Sequence, residues 1–373
     1  MTGITLDSQV LKKRLLSLDA FRGLTIAAMI LVNDPGDWGH IYAPLEHSKW
    51  NGCTPTDLIF PFFLFMMGVS IVYAMESKKE VATDHTKLIL RALKRMVIIL
   101  IIQYGIQLLF HPGLAHMRIP GVLPRIAVVY FICSVLYIKT SQKTRDWLFV
   151  ICLVGYYIIM NFIPVPGVGY ANLEPTTNMG AYIDRLVFTT NHLWAESHTW
   201  DPEGLLGTIP AVATGLFGIR LGTWLKRKDR EDSVKVTWMF TFGVISVIIA
   251  LLWDLFFPIN KALWTSSFVL YTGGLATIGL AISYWLIDIK GYKKFTPPFV
   301  AFGANAITAY ILADFIPHYM GKIKVNSKQG IYQAFFEPYF SPVNASLASA
   351  IFTVLVIWVV MWILYRRKII IKV

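Results

Sequence analysis

Apolar residues recur from one end of the chain to the other in runs of about 17 to 25, with polar residues gathered between them. At about 20 residues per bilayer crossing, ten spans are predicted: 15–32, 57–75, 89–110, 122–138, 147–163, 205–225, 236–257, 266–287, 299–317 and 347–365. This pattern predicts an all-α polytopic membrane protein with about ten transmembrane helices, read as one transmembrane domain over residues 1–373. No internal repeat, low-complexity tract or soluble domain is evident.

The cations between the runs set an orientation. Connections that would share one side of the bilayer, with the two ends, carry 24 of the Lys and Arg residues. The alternate connections carry 8, and Arg22 and Arg220 fall inside spans. By the positive-inside rule both termini are cytoplasmic and the number of spans is even. Lys12, Lys13 and Arg14 precede the first run, and no small-x-small cleavage site follows it, so it is read as a retained span. The expected location is a cell inner (plasma) membrane. The outward connections are then those around 33–56, 111–121, 164–204, 258–265 and 318–346, and the third, bounded by prolines, glycines, Trp194 and Trp200, is expected to be an ordered cap.

Composition agrees: 55% of residues are apolar and 15% charged, against about 25% charged in soluble domains. A net charge of +12 would suggest nucleic acid in a soluble chain; here it reflects loop placement, and no nucleic-acid partner is expected. Three cysteines, two within apolar runs, imply neither a disulfide framework nor a metal cluster. His192 and His198 are six apart with no thiolate nearby, so no metal site is expected.

Candidate chemistry concentrates between the first two spans, where Asn33, Asp34, Asp37, His40, Glu46, His47, Lys49, Trp50, Asn51, Thr54, Thr56 and Asp57 follow one another. His47 can act as a general base or an acyl-carrying nucleophile, with Asp57 near enough in sequence to orient it. The alternative leaves His47 a solvated loop residue and Asp57 a helix cap. Arg22 lies one turn from Asp19, either in a structural pair or as a phosphate contact. Arg118 and Arg125 flank an Ile-Pro-Gly turn, suited to bidentate anion recognition or to snorkelling. Glu203 at a membrane boundary could bind a cationic or polyol ligand or serve a helix N-terminus. Asn305 within an apolar span would bond a neighbouring helix or a ligand.

The ordered motifs Ser17-Leu-Asp-Ala-Phe-Arg-Gly23, Val32-Asn33, His47-Ser-Lys-Trp-Asn-Gly52, Asp57-Leu-Ile-Phe-Pro61 and Phe65-Met-Met-Gly68 resemble the heparan-alpha-glucosaminide N-acetyltransferase family and its bacterial relatives of unassigned function. So do Arg118-Ile-Pro-Gly-Val-Leu123 with Arg125, Asp201-Pro-Glu-Gly204, Asn260-Lys261 with Leu263-Trp264, and Asn305. The resemblance covers nearly the whole chain. It implies transfer of acetyl from cytoplasmic acetyl-CoA to a glucosamine-type amine at the outer face. It also implies His47 as base or acyl carrier, with Asn33 and Asp57 beside it. Trp50, Asn51 and Glu203 would meet the acceptor, and Arg22, Arg125, Lys261 and Asn305 the donor. Expected partners are acetyl-CoA, an amino-sugar or glycan acceptor, membrane lipids and a second copy of the chain. The chain lacks the animal enzyme's extra N-terminal span and luminal domain, and has a longer gap between Asn33 and His47, which leaves the acceptor open. A transporter of an amino sugar or anionic solute, and an acyltransferase acting on a cell-envelope glycan or lipid, are the alternatives.

Overall fold

The computed structural model describes residues 15–81, 84–325 and 329–371. Lys12, Lys13, Arg14, Lys328 and Lys372, which entered the charge count, lie outside the described residues. Inside hydrocarbon a backbone N–H or C=O has no water to bond, so each apolar run satisfies its own polar groups as a helix. In chain order the helices are α1 (Leu16–Asn33), α2 (Ile59–Val81), α3 (Thr86–Phe110), α4 (Val122–Lys139), α5 (Gln142–Phe162), α6 (Met179–Phe188), α7 (Thr208–Leu225), α8 (Asp232–Asp254), α9 (Ser266–Tyr284), α10 (Pro297–Ala304), α11 (Ala306–Lys322), α12 (Ile331–Phe335) and α13 (Pro342–Arg366). Among the described residues there is no strand, only isolated bridges such as Gly52 with Asn260.

Eight of these helices, with the turns that extend them, are long and apolar enough to cross a bilayer, and α10 with α11 would make a ninth. Two predicted spans differ in detail. The run 299–317 is broken at Asn305, where α10 and α11 meet at 87°. The run 205–225 becomes the 18-residue α7, whose three glycines, three threonines, Pro210 and Arg220 dilute its apolar character.

Contacts divide the chain into two compact units. Among the described residues, one holds 15–47, Thr54–Ile59 and 279–371; the other holds Ser48–Cys53 and Phe60–Ile278. In the first, α1 and α10 cross so closely that a Cβ on Gly23 would sit 1.7 Å from the Phe299 carbonyl oxygen, and one on Gly303 2.0 Å from that of Asp19. In the second, α2 and α7 pack through Gly68 and Gly218, whose added Cβ atoms would lie 2.1 Å from Gly215 O and 1.9 Å from Phe65 O. Small residues let membrane helices approach this way, gaining dispersion contact where no hydrophobic effect separates helix from lipid.

The connection 163–207 carries structure of its own. Asn178 caps α6 by accepting from the Ala181 N–H at 2.9 Å, which fits its place just before the helix. Met179 then joins Tyr156, Met160, Val165, Phe257 and Leu263 in one buried apolar cluster.

Candidate functional site

The first unit contains a histidine–carboxylate pair assembled by a helix start. Thr54 has extended backbone and Pro55 opens a short 3-10 turn, Pro55–Leu58, that leads into α2. This is where a Thr-Pro-x-Asp sequence is expected to begin a helix, with Pro at the first position and the acid at the third. Asp57 accordingly turns back, and its Oδ2 accepts from the Thr54 N–H at 3.0 Å. Its other oxygen, Oδ1, lies 2.7 Å from His47 Nδ1. Asp57 thus bonds the Thr54 N–H at the start of the helix with one oxygen and the imidazole with the other.

Burial sharpens the pair's chemistry. The Asp57 side chain is 1% exposed and that of His47 49%. A carboxylate accepts only, so Nδ1 is the donor of this bond and Asp57 fixes which ring nitrogen faces it. The segment before His47 is tethered: the Thr54 hydroxyl reaches Glu46 O at 2.6 Å, the Thr56 hydroxyl Pro44 O at 3.3 Å, and the Tyr42 hydroxyl Asn344 Oδ1 at 2.5 Å. Upstream, Ser346 Oγ accepts from the Asp37 N–H at 3.1 Å. Asp37 also meets His40 Nδ1 at 2.7 Å, and the bonds from His40 and the Gly39 N–H hold its carboxyl below the usual range.

Asn33 ends α1 and is exposed. The next residue, Asp34, has a buried Oδ2 with no hydrogen-bond partner among the described residues, and burial together with the nearby Asp314 charge pushes its carboxyl up to about 7. Arg22 donates from NH1 to Asp19 Oδ1 and to Gly303 O, each at 3.3 Å, as the one-turn spacing anticipates. Asn305, at the break between α10 and α11, pairs with the C-terminal chain: its Nδ2 donates to Ile369 O at 3.0 Å and its Oδ1 accepts from the Ile371 N–H at 2.8 Å.

In the second unit the Trp-Asn-Gly motif is pinned residue by residue. Trp50 Nε1 donates to Leu173 O at 3.1 Å, and its ring meets Trp200 edge-on at 5.0 Å; Trp200 in turn meets Trp194 at 5.3 Å. Asn51 Oδ1 accepts from Asn260 Nδ2 at 3.1 Å, and the Gly52 N–H donates to Ile259 O at 2.7 Å. Gly52 does so at φ 103°, a backbone conformation that residues with a Cβ rarely adopt. Lys261 lies within the same 258–265 connection, half-buried, and its carbonyl accepts from the Trp264 N–H at 3.0 Å.

The Asp201-Pro-Glu-Gly segment closes around two arginines. Arg118 binds Asp201 through Nε at 2.8 Å and NH2 at 2.6 Å, and NH2 also reaches Glu203 Oε2 at 2.6 Å. Burial alone would lower the guanidinium's proton affinity, but the two carboxylates outweigh it and raise it above the ordinary value. Arg125, 3% exposed, donates to Pro202 O at 3.1 Å and Gly204 O at 2.7 Å, and its guanidinium stands 5.2 Å over the Trp264 ring. Its Nε is buried with no hydrogen-bond partner among the described residues.

Asp184 of α6 completes this group. Its Oδ1 accepts from the Leu205 N–H at 2.8 Å, and its Oδ2 would lie 1.9 Å from a Cβ on residue 204, so a side chain there would have to displace the Asp184 carboxylate. Burial, reinforced by the charge of Asp201, pushes its carboxyl up to about 6. Sequence reasoning named Thr54 in the polar stretch without giving it a role, and passed over Asp184 and the role of Asn260 as a partner of Asn51. Thr54 alone had a local signal, the spacing of a capping box.

Residues 14–171 match a protein family described as Domain of unknown function (DUF5009). The chain is also similar to heparan-alpha-glucosaminide N-acetyltransferase of Homo sapiens, 30% identical over 364 residues, or 83% of this chain and 54% of that protein. The Mus musculus protein of the same name is 31% identical over 361 residues, 82% of this chain and 54% of its own length. The chain thus spans about half the length of the curated relatives it matches. The family resemblance carried by the ordered motifs is borne out by these similarities.

Proposed function

We propose that the chain is a membrane-embedded acyltransferase that moves acetyl from cytoplasmic acetyl-CoA to the amine of a glucosamine-type acceptor at the outer face. Both termini are placed in the cytoplasm, in a plasma membrane, and residues 1–373 are read as one functional domain. The observation that carries the reading is the buried Asp57 carboxylate, 2.7 Å from Nδ1 of a half-exposed His47. An imidazole so held keeps one tautomer and one orientation, and the carboxylate stabilises the imidazolium that forms when Nε2 takes a proton.

In the simplest course His47 Nε2 accepts the proton of the acceptor amine as nitrogen attacks the thioester carbonyl. The carbon–sulfur bond then breaks, and the thiolate leaves with the proton returned from His47. In the other course Nε2 itself attacks the thioester carbonyl, the carbon–sulfur bond breaks and the thiolate leaves; the acetyl group rests on the ring until the amine attacks it, restoring the imidazole as the amine's proton passes to the thiolate. Asn33 is proposed to contact the acyl group, and Trp50, Asn51 and Glu203 to shape the acceptor side. Arg22, Lys261 and Asn305 are proposed to serve the donor. Arg125, whose terminal nitrogens bond to Pro202 and Gly204, is proposed to act on the donor through the Asp201–Gly204 segment that it holds.

A transporter is the second reading, favoured by the break at Asn305 between α10 and α11, since transporters place binding sites at broken helices. Purified protein incubated with radiolabelled acetyl-CoA and glucosamine separates the two. An acetyltransferase forms labelled N-acetylglucosamine and consumes the thioester in equal amount. A transporter forms none, and a glycan- or lipid-directed enzyme forms product only when envelope material replaces glucosamine.

A further inference from the structure

We propose that Thr54 is a positioning residue for the His47–Asp57 pair, holding with one residue both the peptide that precedes the imidazole and the carboxylate that orients it. The inference rests on the reading of His47 as the transfer base or acyl carrier. Thr54 Oγ1 lies 2.6 Å from Glu46 O and 3.1 Å from Asp57 Oδ2, while the Thr54 N–H donates to the same Oδ2 at 3.0 Å. A hydroxyl has one proton and a carbonyl can only accept, so the short contact to Glu46 takes the hydroxyl proton. The carboxylate is then held by the main-chain N–H.

The two bonds do different work. Any residue but proline would supply the N–H, whereas the tie to Glu46 needs a hydroxyl at this position. That tie fixes the peptide immediately before His47 relative to the carboxylate that the imidazole must meet. The side chain is β-branched, which restricts χ1 and favours one placement of the hydroxyl. Thr54 and Asp57 form a reciprocal capping box at the start of the helix. The hydroxyl's bond to Glu46 O goes beyond that cap: it runs back along the chain to residue 46, and what it steadies is the residue that follows.

The test compares Thr54→Val, which keeps the shape and the N–H but loses the hydroxyl, with Thr54→Ser, which keeps the hydroxyl. In protein labelled with 15N-histidine, the eight histidines give few enough signals for His47 to be assigned from a His47→Gln spectrum. Wild type and Thr54→Ser are expected to show His47 as the single Nδ1–H tautomer, and Thr54→Val a mixture of tautomers. Turnover is expected to fall about ten- to a hundredfold in Thr54→Val, the scale of a misplaced catalytic group. KM for acetyl-CoA should stay unchanged, and Thr54→Ser should recover the rate.

A Thr54→Val protein with wild-type turnover and one tautomer would overturn the proposal, and so would a folded Thr54→Ser no better than Thr54→Val. If Thr54→Val does not fold, Thr54→Ala carries the same comparison. The tautomer measurement needs no turnover. A wild type that transfers no acetyl would refute the functional reading while the spectra still decide the role of Thr54.

Discussion

Replacing Asp184 by Asn should make the Asp201–Gly204 region less stable in acid and more stable near neutrality. Asp184 ionises near 3.8 in the unfolded chain and near about 6 in the native one, chiefly because it is buried. Between those values the native state binds a proton that the unfolded state does not, so stability falls as pH rises through the window and levels off on either side. Each tenfold change in proton affinity is worth about 1.4 kcal/mol, so the charged form costs the native state roughly 3 kcal/mol above pH 6. Asparagine removes that cost and keeps an acceptor for the Leu205 N–H, now at 2.8 Å from Oδ1. It loses the acceptor facing the backbone N–H of Asp201, worth about 1 kcal/mol. The net expectation is about 1–2 kcal/mol of added stability at pH 8 and a loss of about 1 kcal/mol at pH 4, with the two curves crossing between. Thermal unfolding in detergent, followed by tryptophan fluorescence at both pH values, reads this as a midpoint roughly 3 °C or more higher at pH 8. A variant less stable than wild type at both pH values would refute the reasoning, as would a pH-independent difference between them.

Gly23→Val forces a side chain into the 1.7 Å approach to Phe299 O; an overpacked contact costs about 1–3 kcal/mol or more, and size-exclusion chromatography should show loss of monodisperse protein. Arg118→Lys keeps the charge but not the fork that reaches both Asp201 and Glu203, so the unfolding midpoint should drop by the equivalent of about 1–3 kcal/mol. Asn305→Ala removes the partner of Ile369 O and the Ile371 N–H, and trypsin should then cut faster after Arg367 and Lys368. Cysteines at Ser48 and Ser77 should label from opposite faces of sealed vesicles, as the distribution of Lys and Arg requires; labelling from one face would overturn the proposed orientation.

Hydropathy made the spans legible because the bilayer imposes one length and one composition on every crossing. It could not foresee the break at Asn305. That break depends on an amide meeting the backbone of Ile369 and Ile371, more than sixty residues away. The dilution of α7 is the same kind of limit: its glycines lower its apolarity while serving close packing against α2. At the candidate site, His47 and Asp57 were legible because both stand in one short polar stretch, ten positions apart. Arg118 with Asp201 and Glu203 was not, since 83 and 85 positions separate the partners and nothing local marks them. Arg125 shows a subtler limit. Its place beside the Ile-Pro-Gly turn suits anion recognition or snorkelling, whereas its hydrogen-bond partners are the carbonyls of Pro202 and Gly204, which no side-chain pattern reveals.

The most direct measurement is the initial rate of acetyl transfer from labelled acetyl-CoA to glucosamine by purified wild type and by His47→Ala, with both shown to be folded and to bind the donor. The expected result is labelled N-acetylglucosamine from wild type and a rate about 10²- to 10⁴-fold lower in the variant, the usual contribution of a positioned base. Equal rates from the two proteins, or no product from folded wild type with glucosamine or envelope glycans, would contradict the assignment of His47 as the group that carries out the transfer.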